Sequence, residues 1–308
     1  MKVDAPTTTA YLMTYTEQSC AANCAFCSQA RESLADKNQL SRVLWPEYLT
    51  NDVLDSMKQN RTFERVCIQV INYPGFVEDT AALITAMKKV SRLPVSVDTC
   101  PIKRPAMQLL KNAGAERIGI PLDAATPKLF DAVKGRGAGG PYRWETHMAT
   151  LQAAKEVFGS GMVMTNLIVG LGETEREATS FIQNMADLSI GTALFAFTPL
   201  KGTPMSERRQ PPLESYRRIQ IAKHLINEGR TRSEKMTFSK AGRITGFGVA
   251  LETSDLIGDG SPLRTSGCPG CNRPYYNERP RGPIYNYPRP LTSKEIAEEK
   301  QRMEESMK

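Results

Sequence analysis

The chain has 308 residues, 40% apolar and 24% charged, with 22 Gly and 20 Pro, the make-up of a globular protein long enough to bury a core. Its net charge of +7 is small and scattered, which argues against a nucleic-acid binder, and no run approaches the about 20 apolar residues of a membrane span. Seven cysteines and only two histidines, His147 and His224, exclude a complete set of internal disulfides and a His-rich metal site.

The N-terminal stretch lacks the apolar core of a signal peptide. The expectation is therefore a cytoplasmic protein, where clustered thiols bind metal or do redox work. Along the chain, apolar β-branched runs predict strands at Ala10–Thr16, Arg65–Val70, Pro94–Asp98, Arg117–Leu122, Met162–Val169 and Thr192–Pro199. Helical spacing falls between and after them, at Pro46–Lys58, Val77–Ser91, Arg104–Ala113, Pro127–Lys134, Thr146–Val157, Glu175–Leu188 and Leu213–Glu228. Alternating strands and helices predict an α/β fold with a parallel sheet under crossover helices, its strands apolar on both faces. The repeats end before residue 230, short of the about 250 residues of an eight-unit barrel. The expected architecture is a partial (β/α)6 TIM-type barrel over 1–229, an irregular C-terminal lobe over 230–290 and a charged helix over 291–308. The lobe is rich in Gly, Pro, Arg and Tyr, and its length without periodicity points to a functional or cofactor-stapled segment. The tail, Ser293–Met307, reads as a solvated helix or frayed end as readily as a docking element.

The cysteines fall into two groups. Cys20, Cys24 and Cys27 form a C-x3-C-x2-C triplet directly after the first strand. Three thiolates on one such loop can converge on a [4Fe–4S] cluster, which normally takes four, leaving one iron open to a small molecule. A zinc knuckle with a distant fourth ligand is the alternative. Cys67, in the second strand, and Cys100, just beyond the third, form the other group with Cys268-Pro269-Gly270-Cys271 in the lobe. Either Cys67 or Cys100 alone reads as a small buried hydrophobe.

The triplet, with Phe26 before its last cysteine at the end of the first strand of a βα barrel, resembles the radical S-adenosylmethionine (SAM) superfamily. The resemblance implies that the open iron chelates SAM, whose reductive cleavage yields methionine and a 5′-deoxyadenosyl radical. The run Asn166-Leu-Ile-Val-Gly170-Leu-Gly172-Glu-Thr resembles the adenosine-side motif of biotin synthase and its relatives, and Leu122-Asp123 resembles their Leu-Asp. It implies cofactor contacts from Phe26, Asp123, Asn166, Gly170 and Gly172. Read by itself, Asp123 is equally a helix cap beside Thr126-Pro127.

In biotin synthase, cysteines at places comparable to Cys67 and Cys100 hold a second, sulfur-supplying cluster. Its third cluster cysteine falls near Met164 here, which cannot be a thiolate. Cys268 and Cys271 restore four ligands, which suits an auxiliary [4Fe–4S] cluster. Arg264-Thr265-Ser266 resembles a segment of lipoyl synthase whose serine touches its auxiliary cluster, although four cysteines leave Ser266 no obligatory role. The pattern, including Gly267 to Pro280, resembles the two-component lipoyl synthases of archaea and some bacteria. That implies sulfur insertion into an octanoyl chain on a carrier-protein lysine, a paralogous partner and a low-potential electron donor. The alternatives are sulfur insertion into a free small molecule, as in biotin synthase, a non-sacrificial auxiliary cluster, or a non-enzymatic zinc or cluster protein. The lobe residues Arg264, Arg273, Tyr275, Tyr276, Arg279 and Arg281 are expected either to close over the barrel mouth and meet the carrier, or to form a basic surface loop.

Overall fold

Six strands make one parallel sheet: β1 (Thr9–Met13), β2 (Arg65–Gln69), β3 (Val95–Asp98), β4 (Ala115–Gly119), β5 (Val163–Val169) and β6 (Gly191–Ala196). The computed structural model describes residues 5–60, 62–250, 253–274, 276–278 and 282–308. The strands lie in chain order across the sheet, every neighbour parallel. Crossovers carry α1 (Thr50–Lys58), α2 (Phe76–Val90), α3 (Arg104–Ala113), α4 (Pro127–Val133), α5 (Trp144–Phe158) and α6 (Glu175–Asp187), and α7 (Leu213–Asn227) follows β6. The result is the expected α/β architecture, a curled (β/α)6 half-barrel. β4 stops at Gly119, short of the expected Leu122, because Pro121 has no N–H for the ladder; pairing resumes in an isolated bridge between Asp123 and Leu167.

Strand residues alternate. Val66, Ile68, Val95, Val97, Ile118 and Leu167 point outward and are fully buried beneath the helices. The opposite positions face the barrel interior in layers. Tyr11, Cys67, Ser96 and Arg117 stand side by side in one layer, and Met13, Gln69, Asp98, Gly119 and Met164 in the next. The strands are thus buried on both faces, but the inner face is mixed rather than apolar.

The lobe closes the half-barrel. The free edge of β6 offers backbone N–H groups that would otherwise be open to pairing. Ser266 Oγ accepts from Leu194 at 2.9 Å and Asn277 Oδ1 from Ala196 at 3.3 Å. Beyond a two-stranded hairpin (Thr237–Phe238 with Ile244–Gly246) and the short α8 (Thr253–Ile257), the chain ends in α9 (Ser293–Met307). α9 starts with a reciprocal cap between Thr292 and Glu295, and buries Glu299 and Met303. Glu299 meets the wholly buried Arg217 of α7, which also donates to Gln220 and to the Tyr285 carbonyl. The tail is therefore a docked helix. Among the described residues no helix is long and apolar enough to cross a membrane.

Candidate active site

The sheet encloses a cavity of about 290 Å³ lined by all seven cysteines, with Phe26, Asp98, Asp123, Lys134, Tyr142, Met164, Asn166, Arg273 and Tyr276 among its other walls. The thiols occupy opposite ends.

At the C-terminal end of the strands, the Cys20–Cys27 loop is fixed by its backbone. Ala21 N–H donates to the Asn72 carbonyl (2.7 Å), Ala25 N–H to Val133 at the end of α4 (2.8 Å), and Arg31 N–H back to Ala22 (2.8 Å). Asn23 donates to Ala138, and Lys37 clamps the carbonyls of Ser28 and Ala30. Phe26 packs on the core beneath the loop. Burial raises the Cys24 thiol strongly, against the pull of Lys134, and pushes Cys27 up to about 11. Such thiols ionise when a metal supplies the missing positive charge, so the donor set fits an iron–sulfur cluster. Among the described residues no three His, Cys, Asp or Glu side chains come close enough to ligate a single ion. A cluster, whose thiolates bind different irons, spaces them further apart.

At the opposite end the Cys268–Cys271 loop plugs the barrel. The Arg65 guanidinium donates to the Pro269 carbonyl (3.2 Å) and to Ser96 Oγ (2.8 Å), while Thr8 N–H donates to Asn272 (3.1 Å). Cys268 Sγ lies 3.4 Å from Ser96 Oγ, and Cys271 Sγ lies 3.3 Å from the Tyr11 hydroxyl. Tyr11 and Ser96 flank Cys67 in register, so these contacts bring Cys67, Cys268 and Cys271 together. Burial raises the Cys67 and Cys268 thiols, and the neighbouring thiols add to it.

Cys100 does not join them. It follows Ser96 by four residues, in a bend just beyond the end of β3 at Asp98. It bonds instead with the Tyr142 hydroxyl and lies within the electrostatic reach of Cys20 and Lys134. The four-cysteine group read from spacing is thus three cysteines at one end and Cys100 near the other.

The remaining candidates divide similarly. Asn166 lines the cavity and donates to Asp98 Oδ2 at 3.1 Å. Asp123 also lines it, with its carboxylate bound to Lys134 Nζ at 2.6 Å. Thr126, not Asp123, caps α4. Gly170 and Gly172 are not on the cavity wall: both N–H groups are taken by the Glu173 carboxylate, at 2.6 and 3.1 Å. Gly170 has φ +105°, and a Cβ there would stand 2.9 Å from Pro211 Cδ, so that glycine serves the turn. Met164 stands in the Asp98 layer with its thioether where Gly191 leaves room.

Arg273 is an interior group. Its guanidinium lies 3.9 Å from the Phe195 ring centroid and donates to the Ser266 carbonyl, and Tyr276 packs edge-on to the same ring. Tyr275, Arg279 and Arg281 lie outside the described residues. Spacing gave no hint of Asp98, Lys134, Tyr142 or Tyr11, and Arg273, expected at the barrel mouth or on a surface loop, lies inside the cavity. The period-two alternation marks Asp98 and Tyr11 as inward-facing, but nothing local distinguishes Lys134 and Tyr142.

Residues 16–184, more than half of the chain, match the family model of the Radical SAM superfamily, and the chain belongs to that superfamily. Its domain implies a [4Fe–4S] cluster and SAM. Among solved structures, the chain is similar to methylornithine synthase, with a TM-score of 0.54 at 14% identity over 72% of this chain and 63% of that one. It is also similar to the [FeFe]-hydrogenase maturase from Carboxydothermus hydrogenoformans, with a TM-score of 0.53 at 15% identity over 97% and 66%. At these identities the likeness is one of fold, and the chain spans just under two thirds of either structure. No curated protein sequence matches it.

Proposed function

We propose that the chain is a sulfur-inserting radical SAM enzyme of the lipoyl-synthase kind. It acts in the cytoplasm on an octanoyl chain carried by a protein lysine, beside a paralogous partner and a low-potential electron donor. Cys20, Cys24 and Cys27 hold the SAM-binding cluster, and the second thiol group holds an auxiliary cluster that is the sulfur source. When bound, the first cluster supplies the electron that cleaves SAM to a 5′-deoxyadenosyl radical.

The observation that carries this reading is that both thiol groups line one cavity. A radical formed at the upper group and sulfur held at the lower one can meet the same substrate carbon without exposure to bulk water. The wall between them includes Met13, Met164, Ile168 and Phe195, apolar side chains that suit an alkyl chain, beside the polar Gln69, Asp98 and Asn166. Asn166 and Asp98 supply polar contacts for SAM, and Lys134 holds Asp123 in place on the same wall.

The test is mass spectrometry of an octanoyl-lysyl peptide after anaerobic incubation with SAM and reductant, with and without a paralogous partner. A thiolated product supports the assignment. SAM cleavage with no thiolated peptide overturns it, and sulfur insertion into desthiobiotin instead moves the chain to biotin-type chemistry.

A further inference from the structure

A second cavity, about 660 Å³, lies behind the Cys268–Cys271 loop. Cys268 and Cys271 line both cavities, so the loop is the wall between the barrel interior and this outer chamber. The chamber is also lined by Lys223, Arg264 and Arg289, against one carboxylate, Glu64. Arg289 is paired with Glu295. Among the described residues Lys223 makes no ion pair; burial and the charge of Arg273 pull its amine down to about 8. Around the thiols themselves, Arg65 and Arg117 act electrostatically on Cys268, and Arg273 acts on Cys271. Arg117 Nε makes no hydrogen bond, but it lies 3.8 Å from the Glu116 carboxylate, which also pairs with Arg65 at 2.6 Å. Positive charge surrounds a set of only three thiols, because Cys100 is held at the other end by Tyr142.

We infer that Cys67, Cys268 and Cys271 form a three-thiolate cluster site, Cys100 excluded, whose remaining ligand is a small sulfur anion such as hydrosulfide admitted through the outer chamber past Lys223 and Arg264. This rests on reading the second thiol group as a cluster site. The electrostatic reason is direct. Three thiolates and an added anion concentrate negative charge, and Arg65, Arg117 and Arg273 compensate it, three cations against the single carboxylate of Glu116 that pairs with the first two. The outer chamber reaches that site without crossing the substrate cavity, so sulfur can be restored to it while the upper end stays closed.

The test uses the full chain, reconstituted anaerobically with iron and sulfide. Iron content should be about eight per chain for the parent, two four-iron clusters, and should stay there in Cys100→Ser. It should fall by about half in Cys67→Ser and in Cys271→Ser, with unchanged circular dichroism of the metal-free proteins. Halved iron in Cys100→Ser, with the SAM-responsive cluster retained, overturns the assignment. In a Cys20→Ala/Cys24→Ala/Cys27→Ala background only the second cluster remains; freed of excess sulfide and reduced with dithionite to its paramagnetic state, it should show an electron paramagnetic resonance signal that sodium sulfide shifts. Lys223→Ala with Arg264→Ala should raise the sulfide concentration required several-fold. An unshifted signal, or a response those two substitutions leave untouched, overturns the proposal. No substrate is present in these measurements, so they stand or fall separately from thiolation of the octanoyl peptide.

Discussion

Asp123 Oδ2 and Lys134 Nζ form an ion pair of 2.6 Å with both side chains nine-tenths buried in the cavity wall. Asp123 sits at φ +66°, an unfavourable region for a non-glycine residue, held there by its N–H to the Asn166 carbonyl and by Ile168 N–H to its own carbonyl. Lys134 also donates to the Pro121 carbonyl, so one ammonium ties the end of α4 to the end of β4.

Removing one partner strands a buried charge, which costs about 3–5 kcal/mol. Lys134→Met should lower the unfolding free energy of the metal-free protein by that amount in urea. Adding Asp123→Asn should restore most of it, because the stranded carboxylate is then gone. Simple additivity of the two losses would show that the pair is not coupled. Burial disfavours the Lys134 charge, but Asp123 outweighs it and holds the amine above its ordinary value. The sign follows: the parent keeps this contribution below the unfolded-lysine pKa and loses it as pH rises through the folded one, whereas Lys134→Met shows no such alkaline loss.

Asp98 has the opposite balance. Burial pushes its carboxyl up to about 6, against the hydrogen bond from Asn166. A raised carboxylate pKa means the folded state prefers the proton. The group is least costly below pH 4; its burden builds as pH rises from about 4 to about 6 and is at full strength above that. Asp98→Asn keeps an acceptor for Asn166, so it should stabilise the metal-free protein at pH 7.5 by on the order of 2–3 kcal/mol. The advantage should vanish near pH 4. Thermal unfolding of both proteins across that range checks it, and a pH-independent difference would remove Asp98 titration as the cause.

Gly119 exists for Asp98. A Cβ on Gly119 would stand 2.2 Å from Asp98 Oδ1, its neighbour in register. Gly119→Ala should cost about 1–3 kcal/mol by overpacking, and Asp98→Ala in the same chain should relieve it. A penalty unchanged in the double variant would place the strain elsewhere in the backbone.

The barrel was legible because each strand and helix carries its own period. Even so, Pro121 shortened β4 where apolar composition alone ran on to Leu122. The Cys20–Cys27 triplet was legible as a group because its three thiols are local. The second group was only partly so: one-dimensional spacing counts Cys100 with Cys67, but the register of Ser96 beside Cys67 decides which cysteines meet. That register is a property of the sheet. The same holds for Gly170 and Gly172, whose amides looked free for a ligand until the Glu173 side chain folded back onto them. The charged tail gave no sign of docking because its anchor, Arg217, lies on another helix.

The two ends of the cavity can be separated by activity. Cys24 is the most buried of the triplet, and in the proposed assignment Cys24→Ala removes one of the three ligands of the SAM-binding cluster. It should abolish 5′-deoxyadenosine formation altogether. Cys268 sits at the far end against Ser96, with Gln69, Asp98 and Met164 in the layer between it and the triplet. Cys268→Ala should therefore retain measurable SAM cleavage while thiolation of the octanoyl peptide stops. Chromatography of 5′-deoxyadenosine and mass spectrometry of the peptide, run on the same reactions, read both quantities. Equal loss of the two in Cys268→Ala would mean that the plug holds the barrel together rather than supplying sulfur. Ser96→Ala provides the control, since it removes the hydroxyl beside Cys268 and leaves every thiol in place.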